Sequence, residues 1–243
     1  LWMQIAGAGG QGKTRLALEH LETLEKEGWH AGFLTEATVR KFGEDLWESW
    51  QPDKPTLIVV DYVVGRDREI GPILRCLARR AKELRLRVRL LLLERQRWDR
   101  SEMDGLHTAA GEIAFGAGGR AQWFTALAER RDGADISEMR FENGVIELTG
   151  LSEEDLVRIV RAIAEQLGQI LTMDDAQIAA ALAAIDASGR PLYAHFLGQA
   201  MARDPMRTGW TEEDLLDDVL YKGRVERWTA VFGEQVPEIG EDD

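Results

Sequence analysis

The chain has 243 residues, of which 44% are hydrophobic, a single cysteine and a formal net charge of −13. These values exclude a disordered chain, an internal disulfide and a cysteine-rich zinc site, and they favour a globular protein of the reducing cytoplasm. No apolar run in the sequence reaches the length that spans a membrane, and the negative charge argues against nucleic acid as a partner.

The first predicted elements are a strand, a glycine-rich loop and a helix. Residues 1–6 are mostly apolar, and residues 15–27 carry leucine and alanine at helical spacing before Gly28. Between them lies the pattern G-x-x-x-x-G-K-[ST], which is typical of a phosphate-binding loop. The N–H groups of such a loop and the positive end of the following helix bind phosphate oxygens. We predict that a nucleoside triphosphate binds to Gly7, Gly9, Gly10, Gln11, Gly12, Lys13, Thr14 and Arg15.

Two side chains of this loop have specific predicted roles. Lys13 would reach the outer phosphates as a point charge, and the Thr14 hydroxyl would ligate Mg²⁺. The sequence lacks the guanine-specifying tetrapeptide Asn-Lys-x-Asp, which favours ATP and ADP as the bound nucleotides. A dinucleotide site is the alternative, because the same glycines fit G-x-G-x-x-G and Glu36 follows the next predicted strand, where a ribose-binding acid would lie. That alternative gives no role to the Lys-Thr pair, so we favour the triphosphate.

The next elements place an acid at the end of a buried strand. A second strand is predicted at residues 30–35 and a short amphipathic turn or helix at residues 45–50. Residues 55–60 are too apolar to alternate, so they predict a parallel strand buried on both faces, which ends at Asp61. Because open α/β sheets bind ligands at the carboxyl ends of their strands, we predict that Asp61 holds Mg²⁺ opposite Thr14.

A second polar strand end follows. A helix is predicted at residues 66–84 and a buried strand at residues 88–93, directly before Glu94 and Arg95. We expect these residues to face the same cleft, where Glu94 would orient a water molecule and Arg95 or Arg97 would sense the γ-phosphate. Surface charges are the alternative interpretation. Residues 101–120 are predicted to form a glycine-rich loop, residues 121–131 a helix and residues 145–148 the last strand.

The pattern becomes helical after residue 150. Ser152 and the acids that follow it are typical of a helix start, and further helices are predicted at residues 178–185, from Pro191, and after Thr211. We therefore predict an α/β domain at residues 1–150, with a parallel sheet flanked by helices. A smaller all-helical domain would cover residues 151–232, and an acidic tail residues 233–243.

Taken in order, these motifs resemble the STAND class of P-loop NTPases. The resemblance covers most of the chain, and it is carried by the phosphate loop with the Arg-Leu-Ala-Leu-Glu run behind it, the strand 57–61, the strand end Glu94-Arg95, the junction 148–152 and the element 189–192. It implies a nucleotide-binding module between an effector domain and a sensor of repeats, closed by ADP and opened by ATP binding and homo-oligomerisation. It also implies that Pro191 lies against the adenine and that Arg95 lies near the position of the strand-end arginine. For residues 189–191 the alternative is an ordinary interhelical turn with proline at the first helical position.

One departure from that class affects the expected chemistry. The class has a second acid directly after the metal-binding aspartate, whereas this chain has Tyr62. Without that acid we predict slow ATP hydrolysis, or ATP binding without turnover. The predicted catalytic residues are Lys13, Asp61, Glu94 and Arg95. A small-molecule kinase, an AAA-type mechanical ATPase and a scaffold with a vestigial loop are the alternatives. Since the first residue already belongs to a core strand, we expect an excised part of a longer polypeptide.

Overall fold

The computed structural model describes residues 2–63, 66–80, 83–95 and 140–217. The chain divides into two compact units between Leu148 and Thr149. The predicted loop at residues 101–120, the helix at residues 121–131, the acidic tail and Arg97 lie outside the described residues. Within the described ranges, no helix combines the length and the apolar character that a membrane crossing needs.

The first unit is built on a parallel sheet of five strands. These are β1 (Trp2–Ala6), β2 (His30–Phe33), β3 (Thr56–Asp61), β4 (Val88–Glu94) and β5 (Arg140–Glu147). Their order across the sheet is β2-β3-β4-β1-β5, and every neighbouring pair is parallel. All carboxyl ends therefore meet at one edge, where the register pairs Ala6 with both Glu94 and Glu147. The predicted parallel sheet is confirmed, although β5 begins earlier than the predicted strand at residues 145–148.

Helices cover both faces of this sheet because β3 and β4 are apolar on both sides. In β3, Ile58 and Val60 belong to one buried cluster, and Leu57 and Val59 belong to another. The second cluster includes side chains of helix α1 (Lys13–Lys26). The first cluster includes side chains of helices α2 (Glu36–Ser49) and α3 (Asp67–Arg80).

Helix α2 is longer than the predicted turn or helix at residues 45–50. It begins directly after Thr35, whose hydroxyl accepts the Thr38 N–H at 3.2 Å and so satisfies one free donor of the first turn. The polar residues of its first half weaken the periodic pattern on which the shorter prediction rested. Strand β2 ends at Phe33, two residues before the predicted end, because the chain must leave the sheet to enter this cap.

The second unit is helical, as predicted. Its helices are α4 (Glu153–Gln166), α5 (Asp175–Ile185) and α6 (Pro191–Arg203), and residues 212–217 are helical as well. The predicted starts are confirmed: the Ser152 and Thr211 hydroxyls accept N–H groups three residues on, and Pro191 is the first residue of α6. Gly198 lets α6 approach α4, since a Cβ there would lie 2.8 Å from the Val160 carbonyl oxygen.

Candidate functional site

The phosphate loop leaves the carboxyl end of β1, an inner strand between β4 and β5. Its first residue is anchored to the neighbouring strand, because the Gly7 N–H donates to the Glu94 carbonyl at 3.2 Å. Gly10 and Gly12 have φ values of 82° and 88°, a region that favours glycine. No heavy atom lies within 4 Å of the position that a Cβ of Gly12 would take. The loop is therefore shaped by its glycines and is open beside Gly12.

Helix α1 begins at the end of this loop. No side chain caps its first turn, and that turn contains no acidic residue. The first N–H groups of a helix have no partner within the helix, and together with the helix dipole they attract an anion. The helix start thus offers donors on the same side of the sheet as the loop, as a phosphate group requires.

The Lys13 side chain folds back along the loop. Its Nζ donates to the carbonyl oxygens of Gly7 at 2.6 Å and Ala8 at 3.0 Å. Partial burial lowers the pKa of the Lys13 ammonium below its ordinary 10.5. The negative charge of Asp61 raises this pKa, the positive charge of Arg95 lowers it, and the negative charge of Glu94 raises it. A partly desolvated cation beside free N–H donors is well suited to an anionic ligand, which would stabilise its charged form.

Thr14 and Asp61 come together from α1 and β3. The Thr14 hydroxyl donates to Oδ2 of Asp61 at 2.8 Å, and Oδ1 of the same carboxylate accepts the Tyr62 N–H at 3.0 Å. A hydroxyl and a carboxylate are the oxygen ligands that Mg²⁺ prefers, and the rest of its shell usually comes from phosphates and water. The described part of the chain contains no group of three or more His, Cys, Asp or Glu side chains that would hold a metal alone. The donor set therefore fits a magnesium nucleotide.

Glu94 and Arg95 also lie at this edge of the sheet. Glu94 is 5% exposed, and its Oε1 accepts the Arg95 N–H at 2.5 Å. The Arg95 guanidinium carbon lies 3.8 Å from the position that a Cβ of Gly9 would take, so this arginine reaches the loop. The structure thus brings both residues to the site, while the water-orienting role of Glu94 stays a prediction.

The dinucleotide alternative is wrong for this topology. A dinucleotide-binding sheet pairs its first strand with the second, whereas here β1 lies between β4 and β5. Glu36 does not end a strand either, because it is the first residue of α2. The glycine pattern is therefore that of the triphosphate-type loop alone.

Hydrogen bonds within the second unit hold the turn that precedes Pro191. Gly189 has a φ of 67°, and the carboxylate of Asp186 accepts N–H groups of Ser188 at 3.1 Å and of Arg190 at 2.8 Å. The Arg190 side chain donates to the same carboxylate at 3.0 Å. These bonds fix the turn before Pro191. The contact of Pro191 with adenine stays a prediction.

The Asp186 carboxylate gives this turn a pH-dependent stability. Burial alone would raise its pKa, but the hydrogen bonds and the charge of Arg190, with the Ser188 N–H, outweigh burial and hold the pKa below 3.8. A lowered folded-state pKa adds stability above the unfolded value, and this stability is lost as the pH falls through the folded value. We expect Asp186→Asn to cost about 1.5–3 kcal/mol near neutral pH.

Urea unfolding of both proteins measures this effect. The difference between wild type and Asp186→Asn should be full at pH values above 3.8 and should shrink as the pH is lowered further. A difference that stays constant into the acidic range would show that the carboxylate charge does not stabilise the turn.

One residue of the site, Tyr62, could not be identified from sequence patterns. The backbone of Tyr62 orients Asp61, and its ring centroid lies 5.9 Å from the Arg95 guanidinium carbon. An exposed tyrosine after a strand carries no recognisable sequence signal of either contact.

Comparison with known proteins adds three findings. No family model matches the chain, and a search of curated proteins finds no match. Among solved structures, it is similar to a RuvB variant of Thermotoga maritima, with 15% identity, a TM-score of 0.45, and coverage of 90% of this chain and 60% of that one. It is also similar to AMPPCP-bound DnaA from Aquifex aeolicus and to the Aeropyrum pernix ORC1 protein in complex with DNA. Each of these two has 14% identity, a TM-score of 0.46, and coverage of 94% and 61%.

These similarities are low, and the chain spans about 60% of the length of the structures that it matches. The fold rests on the geometry of the chain itself. A parallel sheet flanked by helices has its phosphate loop after β1 and an aspartate at the end of β3, and a helical unit follows in the chain. This is the architecture of a P-loop NTPase.

Proposed function

We propose that the chain is an ATP- and ADP-binding signalling module of the STAND type, which acts as a nucleotide-controlled switch of conformation and oligomerisation. One observation supports the nucleotide-binding part of this proposal: the Thr14 hydroxyl and the Asp61 carboxylate lie 2.8 Å apart beside the Lys13 ammonium. The flanking effector and sensor domains, and homo-oligomerisation, belong to the same proposal.

Each residue of the site has a defined task in this account. The loop N–H groups and Lys13 bind the β- and γ-phosphates, and Thr14 and Asp61 hold Mg²⁺. The bound cation would neutralise phosphate charge that the negatively charged chain otherwise repels. Arg95 lies beside Gly9, where its guanidinium can bind a phosphate oxygen.

The connection between the two units supports a switch. In the first unit, the Leu148 N–H donates to the Ala6 carbonyl at 2.8 Å, and Leu148 packs beside the first loop residue. In the second unit, the Leu151 N–H donates to the Gly189 carbonyl at 2.9 Å. Only Thr149 and Gly150 lie between these two anchors. A rearrangement of the loop on loss of a phosphate would therefore be transmitted through a very short joint.

We expect slow hydrolysis, because Tyr62 replaces the acid that would polarise the attacking water. Single-turnover measurements with radiolabelled ATP should give a rate well below about 1 s⁻¹, the lower end of usual enzyme turnover. Asp61→Asn is the control, since it should remove the residual activity of this site and leave that of any contaminant.

Fast multiple turnover would contradict this account of the site. Transfer of the label to a small-molecule acceptor, rather than to water, would favour the kinase alternative. ADP retained through gentle purification would favour the switch. The expectation that nucleic acid is not a partner stays a prediction that rests on net charge.

A further inference from the structure

Tyr62 has an unusual backbone conformation. Its φ of 54° makes it the one non-glycine residue with positive φ in the described ranges. This region is unfavourable for a bulky side chain and is far more accessible to glycine and asparagine. Tyr62 is also 61% exposed, so burial in a core does not account for a tyrosine here.

The hydrogen bond of the Tyr62 backbone gives a reason for its conformation, but it gives no reason for a tyrosine side chain at this position. Its N–H donates to Oδ1 of Asp61 at 3.0 Å, which leaves Oδ2 to accept the Thr14 hydroxyl at 2.8 Å. A glycine at the same position would supply the same N–H with less strain. The phenol ring must therefore have a separate role, or its presence at a strained position has no compensation.

The ring of Tyr62 contacts the arginine of the neighbouring strand end. The Arg95 guanidinium carbon lies 5.9 Å from the ring centroid, within the range of a cation–π interaction. The same carbon lies 3.8 Å from the position that a Cβ of Gly9 would take. The backbone N–H of Arg95 donates to Oε1 of Glu94. The guanidinium is thus held between the ring and the phosphate loop.

The position of Arg95 has an electrostatic consequence at the loop. Burial is the largest influence on the pKa of Lys13, but the Arg95 charge also lowers it. Lys13 lies against the Gly7 and Ala8 carbonyls and Arg95 lies beside Gly9, so two cations face the same loop, and an additional phosphate there would relieve their repulsion. A freely rotating arginine would lose side-chain entropy on binding that phosphate, whereas an arginine already held by a ring loses less.

We propose that Tyr62 is a positioning residue, whose ring holds the Arg95 guanidinium against the phosphate loop at Gly9 and so favours a nucleoside triphosphate over a diphosphate. This inference rests on the proposed function, and it concerns selectivity within that site. The planar guanidinium then meets the oxygens of the terminal phosphate without a search over rotamers.

Calorimetric titration of wild type, Tyr62→Ala and Tyr62→Phe with Mg-ATP and with Mg-ADP tests the proposal. Tyr62→Ala should lower the ratio of ATP affinity to ADP affinity by about two- to fivefold, the size of an exposed cation–π interaction. Tyr62→Phe is the matched control and should keep the wild-type ratio, because it retains the ring. In an Arg95→Ala background, Tyr62→Ala should have no further effect on the ratio.

The outcomes separate this inference from the proposed function. If wild type binds nucleotide, Lys13→Ala does not, and Tyr62→Ala leaves the ratio unchanged, the inference is wrong and the function stands. An equal loss of ATP and ADP affinity in Tyr62→Ala would also overturn it, since the residue would then act only through Asp61. If wild type binds neither nucleotide, both proposals are wrong.

Discussion

Lys13→Ala should abolish the binding of ATP and ADP. The Lys13 ammonium is the cation within the loop itself, and its Nζ already lies 2.6 Å from the Gly7 carbonyl oxygen. Each charge-assisted hydrogen bond to a phosphate contributes about 1.5–3 kcal/mol, so the loss of two such bonds lowers affinity by at least about 100-fold. Titration calorimetry with each nucleotide measures the loss.

Lys26→Ala is the matched control for this substitution. Lys26 lies in the last turn of the same helix, is exposed, and is at the end away from the loop. The Lys26→Ala substitution removes the same charge from the chain as Lys13→Ala, so any effect of net charge on nucleotide affinity will appear in both variants. Equal nucleotide affinities of Lys13→Ala and wild type would show that the phosphate loop is not the nucleotide-binding site.

Gly150→Ala should strongly destabilise the helical unit. A Cβ at Gly150 would lie 2.1 Å from the Ser188 carbonyl oxygen, and that oxygen belongs to backbone that cannot rotate away. Two backbone segments cross here, as the hydrogen bond between the Leu151 N–H and the Gly189 carbonyl also shows. Forcing them apart should cost about 3 kcal/mol, at the upper end of overpacking effects.

Urea unfolding gives the size of this loss, and amide hydrogen exchange locates it. Exchange should accelerate in α4 and α6, which begin next to the two crossing segments. Gly32→Ala is the control, because no heavy atom lies within 4 Å of its Cβ position and its φ is not positive. That variant should change stability by no more than about 1 kcal/mol. Wild-type stability in Gly150→Ala would show that the crossing is not tight in solution.

Much of the fold and of the site was predictable because both follow from local patterns. A glycine-rich loop followed by Lys13 and Thr14 specifies its own conformation, and a fully apolar strand that ends in an acid is specific to the centre of a parallel sheet. These two patterns place Asp61 at the edge where the loop lies. The capping residues Ser152 and Thr211 predicted helix starts for a similarly local reason.

Other features depend on contacts between distant parts of the chain. Nothing in the sequence around Tyr62 indicates that its φ is positive, or that its ring lies 5.9 Å from the guanidinium carbon of Arg95 at the end of the neighbouring strand. The need for glycine at Gly150 arises from Ser188, which is distant in the sequence and lies beside Gly150 only in the folded unit. Helix α2 is longer than the sequence predicts because Thr35 caps its start and Val39 in its first half packs against a buried cluster of the sheet.

The most direct test of the central claim is a calorimetric titration of the wild-type chain with ATP, with and without Mg²⁺. Because Thr14 and Asp61 lie together beside Lys13, we expect a single site whose affinity for ATP rises when Mg²⁺ is added. We expect Thr14→Val to lose this dependence on Mg²⁺, since it keeps the shape of the side chain without the hydroxyl. ATP that fails to bind, or that binds equally well with and without Mg²⁺, would contradict the assignment of these residues to a magnesium–nucleotide site.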